Sequence, residues 1–162
     1  VRLATAIQNF EWQPSDIDEA RRVSIDSYAA QSKLQNIRPA LSLDATSPGW
    51  GANQAGPKII LVVNLLHLVS EMEARTLIDE AAQALGQDGI LMIYGPFKRD
   101  QLLTSAGDTE FHNSLCEQDP EIGFKSDKVV LDWGVDAGLE RLDAVEMPAN
   151  NLSLLWRKSS FG

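Results

Sequence analysis

The chain has 162 residues, 44% of them hydrophobic, with 14 Lys and Arg against 23 Asp and Glu for a formal net charge of −9. That length is enough for one domain, expected over residues 1–162, that buries about two thirds of the surface of its unfolded form. The acidic balance opposes nucleic acid and anionic membranes as partners, because no basic face exists to release counterions. A single cysteine, Cys116, rules out an intrachain disulfide and a thiolate metal cage. With no apolar run of about twenty residues and no secretory signal, the expected setting is reducing and cytoplasmic.

Leu3, Ala4 and Ile7 carry helical spacing, as though the chain starts inside a helix. Phe10 and Trp12 alternate with polar neighbours and predict a short strand stopped near Pro14, which cannot donate to a ladder. Ser15, Asp16 and Asp18 offer N-caps for a helix over 19–32, with Ala20, Val23, Ile25 and Tyr28 as its partial apolar face. A strand over 37–43 ends at Asp44, and 45–57, rich in Gly and Pro, reads as loop.

The run Lys58-Ile-Ile-Leu-Val-Val-Asn-Leu-Leu-His-Leu-Val69 is broken only by Asn64 and His67. It predicts a central strand buried on both faces, with those two residues at the carboxyl end, where open α/β sheets bind ligands. The helix expected over 71–85 puts Met72, Leu77, Ile78, Ala81 and Leu85 on one face and stops at Gly86. A buried strand over 89–94 closes at Gly95-Pro96. Residues 102–124 read as polar and irregular, with a short helix over 111–116. After a helix over 128–137, strands over 139–147 and 152–157 form an antiparallel hairpin through Pro148-Ala-Asn-Asn151. The order implies an α/β fold: a doubly wound, mostly parallel Rossmann-like sheet with one antiparallel edge strand.

Asp16, Asp44 and Asn64 end three successive strands. One carboxylate there can accept from vicinal ribose hydroxyls and a second from an exocyclic amine, which is nucleoside recognition; equally, both aspartates can simply cap the segments after them. His67 reads as a general base or as a hydrogen-bonded structural residue. Two histidines and one cysteine argue against a zinc site, so no metal is expected. Tyr94 and Phe97 either line an aromatic pocket or only pack, and Lys98 or Arg99 offers a partner to an acidic group. No dinucleotide fingerprint, Walker loop or Gly-x-Ser-x-Gly occurs.

Trp12-Gln-Pro-Ser-Asp-Ile-Asp18, Leu43-Asp-Ala-Thr46, Asn64-Leu-Leu-His67, Tyr94-Gly-Pro-Phe97 and Met147-Pro-Ala-Asn-Asn-Leu-Ser153 run in that order. In order and spacing they resemble the methyltransferase-like family known as domain of unknown function 938, itself similar to class I S-adenosylmethionine (SAM)-dependent methyltransferases. The resemblance covers essentially the whole chain. It implies a seven-stranded sheet with one antiparallel strand and SAM as cofactor across its carboxyl edge. Asp16, with Ile17, would hold the ribose hydroxyls, Asp44 with Ala45 would meet the adenine, and Asn64 with Leu65 would border the methionine and methyl end. His67 and Tyr94 are the catalytic candidates, since methyl transfer needs a positioned nucleophile and removal of its proton. The acceptor, a small molecule or a protein, does not follow, and a homo-oligomer is compatible. A noncatalytic methyltransferase-like binding or scaffold protein is the alternative. Family members carry a first strand and a glycine-rich loop ahead of the position of Val1, so this chain by itself is expected to lack them and to bind SAM weakly or not at all.

Overall fold

In the computed structural model, which describes residues 1–54 and 56–159, the chain divides into the units Val1–Ala45 and Thr46–Gly162. Of the loop expected over 45–57, Ala55 lies outside the described residues.

The first unit holds α1 (Arg2–Ala6), β1 (Ser15–Asp16), α2 (Glu19–Ser32) and β2 (Leu41–Ser42), with β1 and β2 parallel. The strand expected before Pro14 forms after it instead, and of the earlier stretch only Trp12 bridges, to Ile37. Pro14 contributes its carbonyl to the Leu41 N–H but has no N–H to return. The strand expected over 37–43 is correspondingly reduced to two residues. Helix α2 starts as read, with the Asp18 side chain accepting the Arg21 N–H. Its expected apolar face is not the covered one: Val23 and Tyr28 are each 64% exposed, and Arg22, Ile25, Asp26 and Ala29 are half-buried. Polar tethers set that rotation, because Arg22 donates to the Asp16 and Ile17 carbonyls and Asp26 accepts the Ala40 N–H at 2.7 Å.

The second unit holds β3 (Ile59–Val63), α3 (Glu71–Ala84), β4 (Ile90–Pro96), α4 (Ala106–Gln118), α5 (Asp127–Asp136), β5 (Glu140–Glu146) and β6 (Asn151–Arg157). The sheet order is β3-β4-β6-β5, with β3 parallel to β4 and β6 antiparallel to both its neighbours. This is the expected α/β architecture with a mixed sheet. The one reversed strand, β6, lies inside the sheet rather than at its edge. Burial explains the correction: Leu152, Leu154 and Trp156 need cover on both flanks, whereas β5 is largely exposed and carries a register shift between Arg141 and Asp143.

The run read as a central strand is an edge strand of this sheet. Residues 59–62 are half-buried rather than buried on both faces, and Val63 is 53% exposed. Asn64 takes φ +53° and ends the strand, and Leu66–Leu68 coil into a 3-10 turn. An unbroken apolar run does not distinguish strand from buried turn.

The core is the face bearing Leu91 and Ile93 of β4 and Leu154 and Trp156 of β6, together with Leu77, Ile78 and Ala81 of α3 and Val130 and Leu131 of α5. The other face of β4, with Met92 and Tyr94, is half-buried. Helix α3 opens on a reciprocal capping box between Ser70 and Glu73. Met72, expected in the core, sits in the first turn and is 78% exposed. The helix ends one residue early, with Leu85 as its C-cap. Gly86 instead allows close approach: a Cβ there would stand 2.6 Å from the Gly56 carbonyl oxygen. The short helix expected over 111–116 lies within the longer, thirteen-residue α4, started by Ser105 accepting the Asp108 N–H. No helix among the described residues is long and apolar enough to cross a membrane.

At the β5–β6 turn, Ala149 and Asn150 have φ +58° and +59°. A Cβ strains that conformation, so Ala149→Gly is expected to raise stability by about 0.5 kcal/mol net of the added unfolded-state entropy. A higher urea midpoint with unchanged slope is the check.

Candidate functional site

In the first unit, Asp16 ends β1 with its side chain 24% exposed. Its Oδ1 accepts the Asp18 N–H at 2.9 Å, an Asx turn leading into α2, while Oδ2 has only a long 3.9 Å approach from the Arg21 guanidinium. Asp16 therefore serves the turn with one oxygen, while among the described residues the other meets only the Arg21 guanidinium. Ile17 beside it is 64% exposed, an apolar side chain facing solvent. Asp44 and Ala45 follow β2 and are half-buried.

In the second unit, Asn64 is exposed at the carboxyl end of β3, and its N–H donates to the Tyr94 carbonyl at 2.8 Å. The adjoining Gly95 leaves the space beside the Asn64 amide free of side chain, since a Cβ there would come within 3.6 Å of Oδ1. Leu65 and Tyr94 are half-buried.

His67 lies not on the strand but in the 3-10 turn, 6% exposed. The rings of Phe111 and Phe124 meet it edge-on at centroid distances of 5.6 and 6.2 Å. Its Nδ1 is buried and has no hydrogen-bond partner among the described residues. The turn's backbone is clamped instead. Gly123 N–H donates to the His67 carbonyl at 3.0 Å, and the Lys125 ammonium donates to the carbonyls of Val69 and Gly123. Lys125, 4% exposed, had no signal in the sequence beyond being one lysine in a polar stretch.

Burial, reinforced by the Lys125 charge, pushes the His67 pKa below its ordinary value; burial, then Lys98 and Lys125, do the same to His112. The unfolded chain therefore takes up these protons first. Stability from both rings is complete above the unfolded value of about 6.5 and is lost as pH falls through the folded values. The urea midpoint is expected to drop between about pH 7.5 and about pH 5.5, and His67→Phe should lessen the drop. Identical drops in the two proteins would remove His67 from that linkage.

Phe97 is 2% exposed and simply packs in the core. Arg99 pairs with both Glu146 oxygens and donates to the Phe97 and Asn150 carbonyls, tying the end of β4 to the hairpin. Asn150 in turn donates to Ser105 and Asp108 at the start of α4. The Pro148-Ala-Asn-Asn151 word is thus a turn with a fastening role, and of the Lys98-Arg99 pair only Lys98 is left for an acidic group. Among the described residues no group of His, Cys, Asp and Glu is arranged to hold a metal ion.

A family model described as protein of unknown function (DUF938) matches residues 1–158. The chain belongs to that family. Solved structures show what this DUF938 chain is similar to in fold. An O-methyltransferase family protein from Burkholderia thailandensis is 18% identical with a TM-score of 0.75, over 93% of this chain and 44% of that one. SibL, an S-adenosylmethionine-dependent methyltransferase, is 17% identical with a TM-score of 0.79, over 98% of this chain and 46% of its own. An O-methyltransferase family 2 protein from Planctomyces limnophilus, solved with apigenin, is 18% identical with a TM-score of 0.75, over 94% and 44%. The DUF938 chain spans less than half the length of each. At these identities the likeness is one of fold, the methyltransferase-like α/β fold.

Proposed function

We propose that the protein is a SAM-dependent methyltransferase acting on a nucleophilic acceptor. The observation that carries the reading is the polar end of the β3–β4 parallel pair, exposed Asn64 followed by the turn bearing His67, in a fold shared over nearly the whole chain with a SAM-dependent methyltransferase. The residues present fit the cofactor's chemistry. By chemistry, Asp16 Oδ2 suits ribose hydroxyls, and by the family resemblance Ile17 belongs with the ribose and Asp44 with Ala45 to the adenine. In the second unit, taken by itself, Asn64 and Leu65 have the chemistry that the resemblance assigns to the methionine and methyl end. SAM supplies a methyl carbon made electrophilic by its sulfonium. His67, held neutral by burial, is competent to accept the acceptor's proton, and Tyr94 positions the acceptor. The lone free thiol fits a cytoplasmic setting.

Calorimetric titration of SAM into the full gene product tests the reading. One saturable site of micromolar affinity is the expected result. Absence of heat, with neither SAM nor its demethylated product carried through purification, would overturn it.

A further inference from the structure

A groove of about 460 Å³ opens between the start of α3 and the 120–125 segment, with Lys98, Lys125, His112, Cys116, Glu71 and Glu121 among its lining residues. Lys125 is the element that needs explaining. The residue is 4% exposed, its ammonium rests on two carbonyl oxygens, and no carboxylate among the described residues comes within ion-pair distance of it. Lys98, half-buried, likewise has no ion pair. Backbone bonds hold the two together: Lys98 N–H donates to the Lys125 carbonyl at 2.9 Å, and Asp127 N–H donates to the Lys98 carbonyl at 3.0 Å.

Their charges oppose one another. Lys98 disfavours the charged form of Lys125, and both disfavour protonation of His112; Glu71, Cys116 and Glu73 act the other way on Lys125 without pairing with it. Arg99, the next residue after Lys98, does have a paired carboxylate in Glu146. A purely structural clip at Lys125 would need donors but not a charge, and a buried cation without a counter-ion is costly. Nor would a clip account for Lys98.

We propose that this groove binds a small molecule carrying one carboxylate or phosphate group, held by Lys98 and Lys125, with its apolar body against Met72, Ile122 and Phe124. Glu71 and Glu121 select against polyanions. The proposal does not rest on the methyltransferase reading: its argument uses neither SAM nor the residues assigned to SAM, although the groove adjoins the turn that carries His67.

The chain has only two histidines, so the His112 ring is a resolvable NMR probe within the groove. Inorganic phosphate and benzoate are titrated separately at constant ionic strength, with neutral benzamide as control and no SAM present. An anion seated on the two lysines offsets their charge, so His112 is expected to titrate at higher pH with phosphate, benzoate or both, and not with benzamide. The anion that binds identifies the group. Lys98→Met, at a half-buried position that leaves the core intact, should weaken that binding about tenfold, as loss of one charge-assisted contact would. Lys125→Met should abolish it in a protein whose amide spectrum stays folded. No response of His112 to either anion, or a response unchanged in Lys98→Met, would overturn the proposal.

Discussion

Gly134→Ala is expected to destabilise the protein by about 3 kcal/mol, against the usual direction for such a change. Alanine inside a helix normally gains roughly 0.5–1 kcal/mol over glycine through backbone entropy. Here a Cβ would stand 2.2 Å from Trp156 Nε1, and 2.6 and 2.7 Å from two indole carbons. The indole cannot withdraw. It is 0% exposed, its N–H donates to the Leu131 carbonyl at 3.1 Å, and β6 is pinned between β4 and β5. Either helix α5 lifts from the sheet or the ring leaves its rotamer, and both disrupt close packing. Urea denaturation of Gly134→Ala, Trp156→Leu and the double variant is the check. The double variant should lose less than the sum of the singles, since the smaller side chain removes the clash. A stabilised Gly134→Ala would show that the indole moves freely.

The second large effect concerns Asp16. Asp16→Ala removes the oxygen assigned to the ribose hydroxyls but also the one that holds the Asx turn into α2, so a loss of SAM binding in that variant alone would be ambiguous. Asp16→Asn separates the two. Its amide oxygen keeps the acceptor for the Asp18 N–H, while the second oxygen and the charge are gone. Charge-assisted bonds contribute roughly 1.5–3 kcal/mol each, so the Asn variant is expected to bind SAM about a hundredfold more weakly with an unchanged melting temperature, and the Ala variant not detectably. Calorimetry on the full gene product reads this. Unchanged affinity in Asp16→Asn would take Asp16 out of the site.

Elements governed by neighbours along the chain were legible. Asp18 as N-cap, the stop of α5 before Gly138 and the hairpin through Ala149 and Asn150 each depend on a few consecutive residues, and the structure has them where the residue types put them. Misreadings came where a partner distant in sequence decides. Val23 and Tyr28 looked like the covered face of α2 until the Asp26 and Arg22 tethers rotated it. Helix α4 reads as only a short helix over 111–116 because its covered side is nearly all polar or small, with Leu115 as its one fully buried residue.

The candidate site divides the same way. Residue type and position alone marked Asn64 and His67, since polar groups stand out within the apolar run over 59–69, and Asp16 by its place after Pro14. The environment of each was not in the sequence. Composition bounds the net charge, and local spacing with turn chemistry marks most helices and strands, because these act within a few residues. Whether Ile59–Val63 lies at the centre or edge of its sheet, whether His67 has a hydrogen-bond partner, and whether Lys125 is solvated or buried against two carbonyls depend on segments far away in the chain. Those non-local contacts fix burial and dielectric, and with them pKa and charge balance. Tertiary structure alone decided that an ordinary lysine of a polar stretch became a buried cation facing a groove.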